Sequence, residues 1–422
     1  MVRHFWILAV AAAFGFDGFA AEVTRVSAAL WDTERLSAAP RTWEVSDAGI
    51  ANDYGRVAGV NPIWIEGEPF AGKPTRVFAW WGLPAGASPA AKVPAMVLVH
   101  GGGGTAFAQW VKTWTDRGYA AVAMDTCGKT PRGERDGQPH PTHDWSGPAG
   151  WGESGAHVDD PIRDQWTYHA IAAILRSHAF IRTRPEVDPA RTGLTGISWG
   201  GYLASIAMCV DKRFSFAAPV YGCGFYDLNP LWGEISADPR KLRRWFDLWD
   251  PKNYLSPAGG GAKCPVLWCD GTNDRFYRLD MLRKSYSLLD PSVPLMLSIK
   301  LRMPHGHPPA GDPKEITVWA DHYLKGTPKP PTFDSTRVVD GRLTATFSSG
   351  GAKVVKAEFL WTSDTNPVHM DRAWFVRHAD LFEPGKGRCE AAVPSDAVMF
   401  FMNLVTDDGC VFSTHTFEPG AK

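Results

Sequence analysis

Ser198 lies midway between Gly196 and Gly200, after a strand-like run at 191–196 and before a helix-like run at 200–210. A serine on a sharp strand-to-helix turn has its hydroxyl pushed into the open. Small residues two positions to either side keep strand and helix from clashing there. The start of the helix presents free backbone N–H groups, so the Trp199 N–H is placed to stabilise an oxyanion. The chemistry this permits is acyl transfer, provided that a base and an orienting acid stand at other strand ends.

Two acids, Asp270 and Asp274, follow the apolar run 265–269. Asp274 is preferred, because Asp270 should still be emerging from the strand. Two histidines, His305 and His307, follow the run 295–301. His305 is preferred, being nearer the strand end and followed by glycine; His307 stays open as the alternative base. Upstream, the run 95–99 leads into His100, Gly101, Gly102, Gly103 and Gly104. Backbone N–H groups of such a turn can approach a substrate carbonyl, and Gly102 is the expected second oxyanion donor beside Trp199, with Gly101 in reserve. The turn lacks the lysine and spacing of a phosphate-binding loop. His305 and His307 also have the spacing of a metal-ligand pair. No further ligand set stands at an obvious strand end, so no metal and no other cofactor is expected.

These residues need a scaffold that brings strand ends together. Apolar runs at 95–99, 120–124, 191–196, 216–220, 265–269 and 295–301 alternate with helical patterns at 106–117, 165–177, 200–210, 240–249, 279–289 and 313–324. That alternation predicts an α/β fold, a doubly wound and mostly parallel sheet. The segment 128–160, rich in Gly, Pro, His and Trp, reads as a long functional loop. After a proline-stiffened linker at 325–331, strand-like runs recur at 342–347, 354–361, 373–377, 398–404 and 409–416, predicting a small C-terminal all-β domain. The expected organisation is a signal peptide at 1–20, an extended lead-in at 21–74, a catalytic domain at 75–327 and a β-sandwich-like domain at 332–422.

The signal peptide is read from Arg3 and His4, the apolar run 5–16, and small residues Gly18 and Ala20 before a cut near Ala21. It predicts a secreted or periplasmic protein, with no membrane span after cleavage. A formal net charge of −1 over 422 residues gives no basis for a nucleic-acid partner. The seven cysteines have no metal-ligand spacing, and several, Cys209 and Cys269 among them, sit in apolar runs where a buried free thiol is expected; Cys389 and Cys410 are a candidate disulfide. Nineteen tryptophans are present, and indole faces stack on sugar rings. Trp145 and Trp151, in the long loop, are the expected substrate-binding residues, with Trp166, Trp199 and Trp232 near the site. Trp80, Trp110, Trp268 and Trp319 read as core.

The glycine turn at 100–103, the serine turn at 196–200, the segment Gly271-Thr272-Asn273-Asp274 and His305 together resemble the α/β-hydrolase superfamily over roughly residues 75–325. Within it the chain looks most like acetyl xylan esterases and dienelactone hydrolase-like enzymes. The resemblance implies hydrolysis of a small-molecule or polysaccharide ester through an acyl-serine intermediate. The segment 271–277 with a β-rich C-terminus also resembles the PhoPQ-activated pathogenicity-related family. One departure is the lack of an aromatic residue directly after His100-Gly101, where acetyl esterases often carry one. A serine peptidase of the prolyl-oligopeptidase kind and a non-catalytic binding protein on the same scaffold are the competing readings.

Overall fold

The computed structural model describes residues 27–46, 57–131, 140–306 and 312–419, so the expected signal peptide and His307 lie outside the described residues. Nine strands form the main sheet: β1 (Thr42–Trp43), β2 (Val60–Glu66), β3 (Arg76–Gly82), β4 (Val93–Val99), β5 (Ala120–Met124), β6 (Val187–Ile197), β7 (Phe216–Val220), β8 (Val266–Gly271) and β9 (Leu295–Lys300). Their spatial order is β1-β2-β3-β5-β4-β6-β7-β8-β9. From β5 through β9 every pairing is parallel, while β1, β2 and β3 join antiparallel at one edge.

The apolar runs of β4, β5 and β7 are buried almost throughout, as strands covered on both faces must be. The two faces can be told apart at β6. A Cβ at Gly193 would meet Leu324, beyond the helix Lys314–Ala320, whereas one at Gly196 would meet Gly200 at the start of the helix Trp199–Val210. Residues an odd number apart on a strand face opposite sides, so helices cover both faces. The strand order reverses between β4 and β6, and the loops leaving their carboxyl ends open a crevice there.

The expected lead-in needs correction. Its described part holds a helix, Thr33–Ser37, and two sheet strands, β1 and β2. It is anchored by Glu68, which is buried: its carboxylate accepts from Arg35 and from the Tyr168 hydroxyl, and its carbonyl accepts the Thr75 hydroxyl. Trp80, Trp268 and Trp319 are core residues at 1%, 0% and 1% exposure, while Trp110 is only partly buried.

Beyond Lys325 two four-stranded antiparallel sheets follow. One is ordered β10 (Thr332–Val339), β11 (Arg342–Ser348), β15 (Arg388–Ala392), β14 (Leu381–Glu383); the other is β13 (Phe375–His378), β12 (Val354–Thr362), β16 (Met399–Thr406), β17 (Val411–Ser413). The sequence reading lacked β10, β14 and β15. The possible disulfide is also corrected: all seven cysteines are free and buried. Cys389 packs against Met402, whereas the Cys410 thiol faces Asp408, so the two sulfurs have different neighbours. Among the described residues no helix is long and apolar enough to cross a membrane.

Candidate active site

The serine turn has the geometry its sequence demands. Ser198 adopts φ 56° and ψ −120°, a strained conformation for a residue with a side chain. Its N–H donates to Val220 O at 3.1 Å on β7, and its carbonyl accepts the Tyr202 N–H at 2.8 Å. A Cβ at Gly200 would fall 2.0 Å from Val99 O, so only glycine lets the helix approach β4 this closely.

Three side chains from three strand ends meet here. Ser198 Oγ is 2.8 Å from His305 Nε2, and His305 Nδ1 is 2.6 Å from Asp274 Oδ2. The other Asp274 oxygen accepts the backbone N–H groups of Phe276 and Tyr277, each at 2.8 Å. With Asp274 as acceptor, the imidazole proton belongs on Nδ1, which leaves Nε2 free to take the serine proton. The Asp274 side chain is fully buried and that of His305 is 18% exposed. His307 lies outside the described residues. Asp270 stays within β8, as expected. Burial and the adjacent Asp274 push its carboxyl well above the usual range.

Gly102 and Trp199 lie together beside Ser198. A Cβ at Gly102 would come within 2.6 Å of Trp199 Cδ1 and 3.0 Å of Trp151 Nε1. The Trp199 N–H, at the first position of its helix, has no partner four residues back. His100 holds the glycine turn from behind. Its Nε2 accepts the Thr126 N–H at 3.0 Å, and its Nδ1 therefore donates to Gly101 O at 2.8 Å. Burial lowers the His100 pKa, and Nε2, accepting an N–H, carries no proton of its own.

Ser198 and His305 open into a cavity of about 290 Å³, walled by Trp151, Trp199, Trp232 and Phe276, with Glu234 and Arg275 also on its lining. Trp151 stacks on Trp199 at 5.3 Å and 23°, and Trp232 meets Trp199 edge-on at 5.3 Å. Trp166 supports Trp199 from the core. Trp145 does not reach this cavity: its ring lies against Trp64 and under the Arg76 guanidinium, 4.1 Å away. His143, against Trp64, and His157, paired to Asp160, are elsewhere too. Among the described residues no three His, Cys, Asp or Glu side chains converge on a point fit for a metal ion. A larger cavity, about 390 Å³, lies between β9 and β10 and shares no residue with the serine site.

Sequence reasoning missed Tyr221. Its ring packs 4.3 Å from His305, and its hydroxyl donates to Gly306 O at 2.5 Å, beside the histidine. The available signal was its position directly after β7, the strand neighbouring Ser198's own.

The chain is similar to several known proteins. Residues 69–228 match the model of the acetyl xylan esterase (AXE1) family. An acetyl xylan esterase from Paenibacillus sp. R4 has a similar structure, with TM-score 0.51 and 20% identity, covering 70% of this chain and 94% of that one. Acetyl xylan esterase 1 from Thermoanaerobacterium sp. JW/SL YS485 gives TM-score 0.49 and 19% identity over 69% of this chain and 91% of that one. A probable dipeptidyl-peptidase 5 of Emericella nidulans is 25% identical over 198 residues, 45% of this chain. The match spans only 24% of that relative's length. The fold is that of the α/β-hydrolases, and residues 69–228 match the acetyl xylan esterase model.

Proposed function

We propose that the chain is a secreted or periplasmic esterase that removes acetyl groups from carbohydrates, with Ser198 as nucleophile, His305 as base and Asp274 as orienting acid. The observation that carries this reading is the Ser198–His305–Asp274 chain, at 2.8 and 2.6 Å, opening into a tryptophan-walled cavity. The acetyl xylan esterase match over residues 69–228 supports the acyl group. Tryptophan faces suit the sugar ring that carries it.

His305 takes the Ser198 proton as Oγ bonds to the acyl carbon. The negative charge that forms on the carbonyl oxygen is met by the backbone N–H groups of Gly102 and Trp199. His305 then passes its proton to the departing alcohol oxygen. In the second half, His305 deprotonates water as its oxygen bonds to the acyl carbon, then returns that proton to Ser198 Oγ as the acyl–Oγ bond breaks and acetate leaves. Asp274 keeps the imidazole in the required tautomer and stabilises its charged form. Trp151 is the side chain proposed to contact the sugar; Trp145, remote from the cavity, packs on β2 and β3 through Trp64 and Arg76.

The match to a probable dipeptidyl-peptidase favours a second reading, hydrolysis of a peptide bond by the same residues. Acetate release from acetylated xylan, turnover of p-nitrophenyl acetate and turnover of a peptide p-nitroanilide, measured side by side, separate the two. The esters are expected to turn over and the anilide not. Cleavage of the anilide alone overturns the esterase reading. N-terminal sequencing of the exported protein tests the cut after Ala20.

A further inference from the structure

The acid loop after β8 and the base loop after β9 are joined by more than the Asp274–His305 pair. The Arg302 backbone N–H donates to Thr272 Oγ1 at 2.9 Å, and that hydroxyl donates to Asn273 Oδ1 at 2.8 Å. Asn273 then has two amide hydrogens left, and they go to Met370 O at 2.9 Å and Arg372 O at 2.8 Å. The reversed amide would set its oxygen against two carbonyls and leave both without a donor, so the bonding pattern fixes its orientation. Asn273 directly precedes Asp274, and Arg302, held at φ 51°, stands three residues before His305.

Met370 and Arg372 lie on the connection between β12 and β13, in the C-terminal part of the chain. That connection is braced internally: Asp364 accepts the N–H groups of Asn366 and Ala373, at 2.8 and 3.1 Å, and Arg372 Nε donates to Asn366 O at 2.9 Å. The same sheet also grips β9 just before the base loop. Ser413 Oγ accepts the Ile299 N–H at 2.8 Å and donates to Asn403 Oδ1 at 2.7 Å, while Asn403 Nδ2 donates to Ile299 O at 3.0 Å. Ile299 is on the edge strand, so these two side chains take the place of a neighbouring strand there.

The geometry points to a catalytic-support function for the sheet of β12, β13, β16 and β17: it clamps the acid and base loops in mutual register, with Thr272 and Asn273 as positioning residues for Asp274 and His305. This rests on the roles proposed above for Ser198, His305 and Asp274. A general base must hold hydrogen-bond distance to both of its neighbours, and a displacement of about 1 Å can cost on the order of 10²-fold in rate. Thr272 and Asn273 touch neither substrate nor the reacting atoms in this account. They act through the loops they join.

The test uses the full chain and three variants. Thr272→Val keeps the shape but removes the hydroxyl, Thr272→Ser keeps the hydroxyl, and Asn273→Asp sets carboxylate oxygens against the Met370 and Arg372 carbonyls. The readouts are kcat and KM for p-nitrophenyl acetate and the rate at which a fluorophosphonate probe labels the protein, with near-UV circular dichroism as the check on folding. Thr272→Val and Asn273→Asp should lose on the order of 10- to 10²-fold in kcat and in labelling rate, with KM within about twofold. Thr272→Ser should stay near wild type. Asn273 is partly exposed, so Asn273→Asp carries the test if Thr272→Val does not fold. The clamp is overturned if folded Thr272→Val and Asn273→Asp keep kcat within about twofold of wild type. It is also overturned if Thr272→Ser loses as much as Thr272→Val, which marks a packing effect. Failure of the wild type to label would sink the serine reading itself, a distinct result.

Discussion

Replacing Asp274 by asparagine changes one atom and one charge, and the structure says which way the new amide must face. Oδ1 of Asp274 accepts two backbone N–H groups, from Phe276 and Tyr277. In Asp274→Asn the amide oxygen keeps those two bonds, so the NH₂ group is turned toward His305 Nδ1. Nδ1 must then accept, the imidazole proton moves to Nε2, and Nε2 can no longer take the proton from Ser198 Oγ, 2.8 Å away. The loss expected from an imidazole locked in the wrong tautomer is about 10⁴-fold in kcat, or roughly 5 kcal/mol. KM should change little, because Asp274 is buried beneath His305 and not on the cavity wall. Folding should be preserved, since the two backbone N–H groups stay satisfied. The assay is kcat and KM on p-nitrophenyl acetate, with thermal unfolding to confirm the fold. A loss below about tenfold in a well-folded Asp274→Asn protein would refute this account of the base.

Three further outcomes are expected. Gly102→Ala places a methyl group 2.6 Å from Trp199 Cδ1, which must displace the glycine turn. Its kcat should fall by on the order of 10²- to 10³-fold, as when an oxyanion donor is removed, and activity near wild type in this variant counts against Gly102 as a donor. Trp151→Ala should raise KM for a carbohydrate ester about fivefold, whereas Trp145→Ala should leave KM unchanged and lower the melting temperature through loss of its contact with Arg76; equal KM effects would contradict the placement. Burial holds His169 down to about 4 and lowers His178 and His100 below the ordinary imidazole value. A folded value below the unfolded one means that the unfolded chain binds more protons between about pH 4 and 6.5, so stability is full at neutral pH and falls on acidification through that window. His169 alone contributes up to roughly 3 kcal/mol to that loss. Melting curves at pH 7 and pH 5 should show the fall, and His169→Phe should reduce it; an unchanged pH dependence in that variant excludes His169 as a source.

How far the sequence foretold the molecule depends on how local each signal was. The serine turn is specified within five residues, because strand, glycine, serine and helix start follow each other directly. Asp274 was separable from Asp270 by counting from a strand end, and the structure indeed keeps Asp270 inside β8. β2 was hidden because Asn61 and Pro62 interrupt its apolar run, although it pairs with its chain neighbours β1 and β3. β15 was hidden by Arg388 and Glu390, which point outward while Cys389 and Ala391 fill the core. Trp145 and Trp151 could not be told apart, since both lie in one loop without periodicity. Only tertiary packing sends one to Arg76 and the other to Trp199. Tyr221 and Asn273 owe their roles to partners 85 and 97 or more residues away, which no local pattern encodes.

The central claim is that an acyl group passes through Ser198. Acid quenching of the protein during turnover of p-nitrophenyl acetate, followed by mass spectrometry of its peptides, tests this directly. The account predicts one added acetyl group on Ser198, lost in Ser198→Ala together with turnover. Acetylation at a different residue, or Ser198→Ala turning over at the wild-type rate, would contradict it.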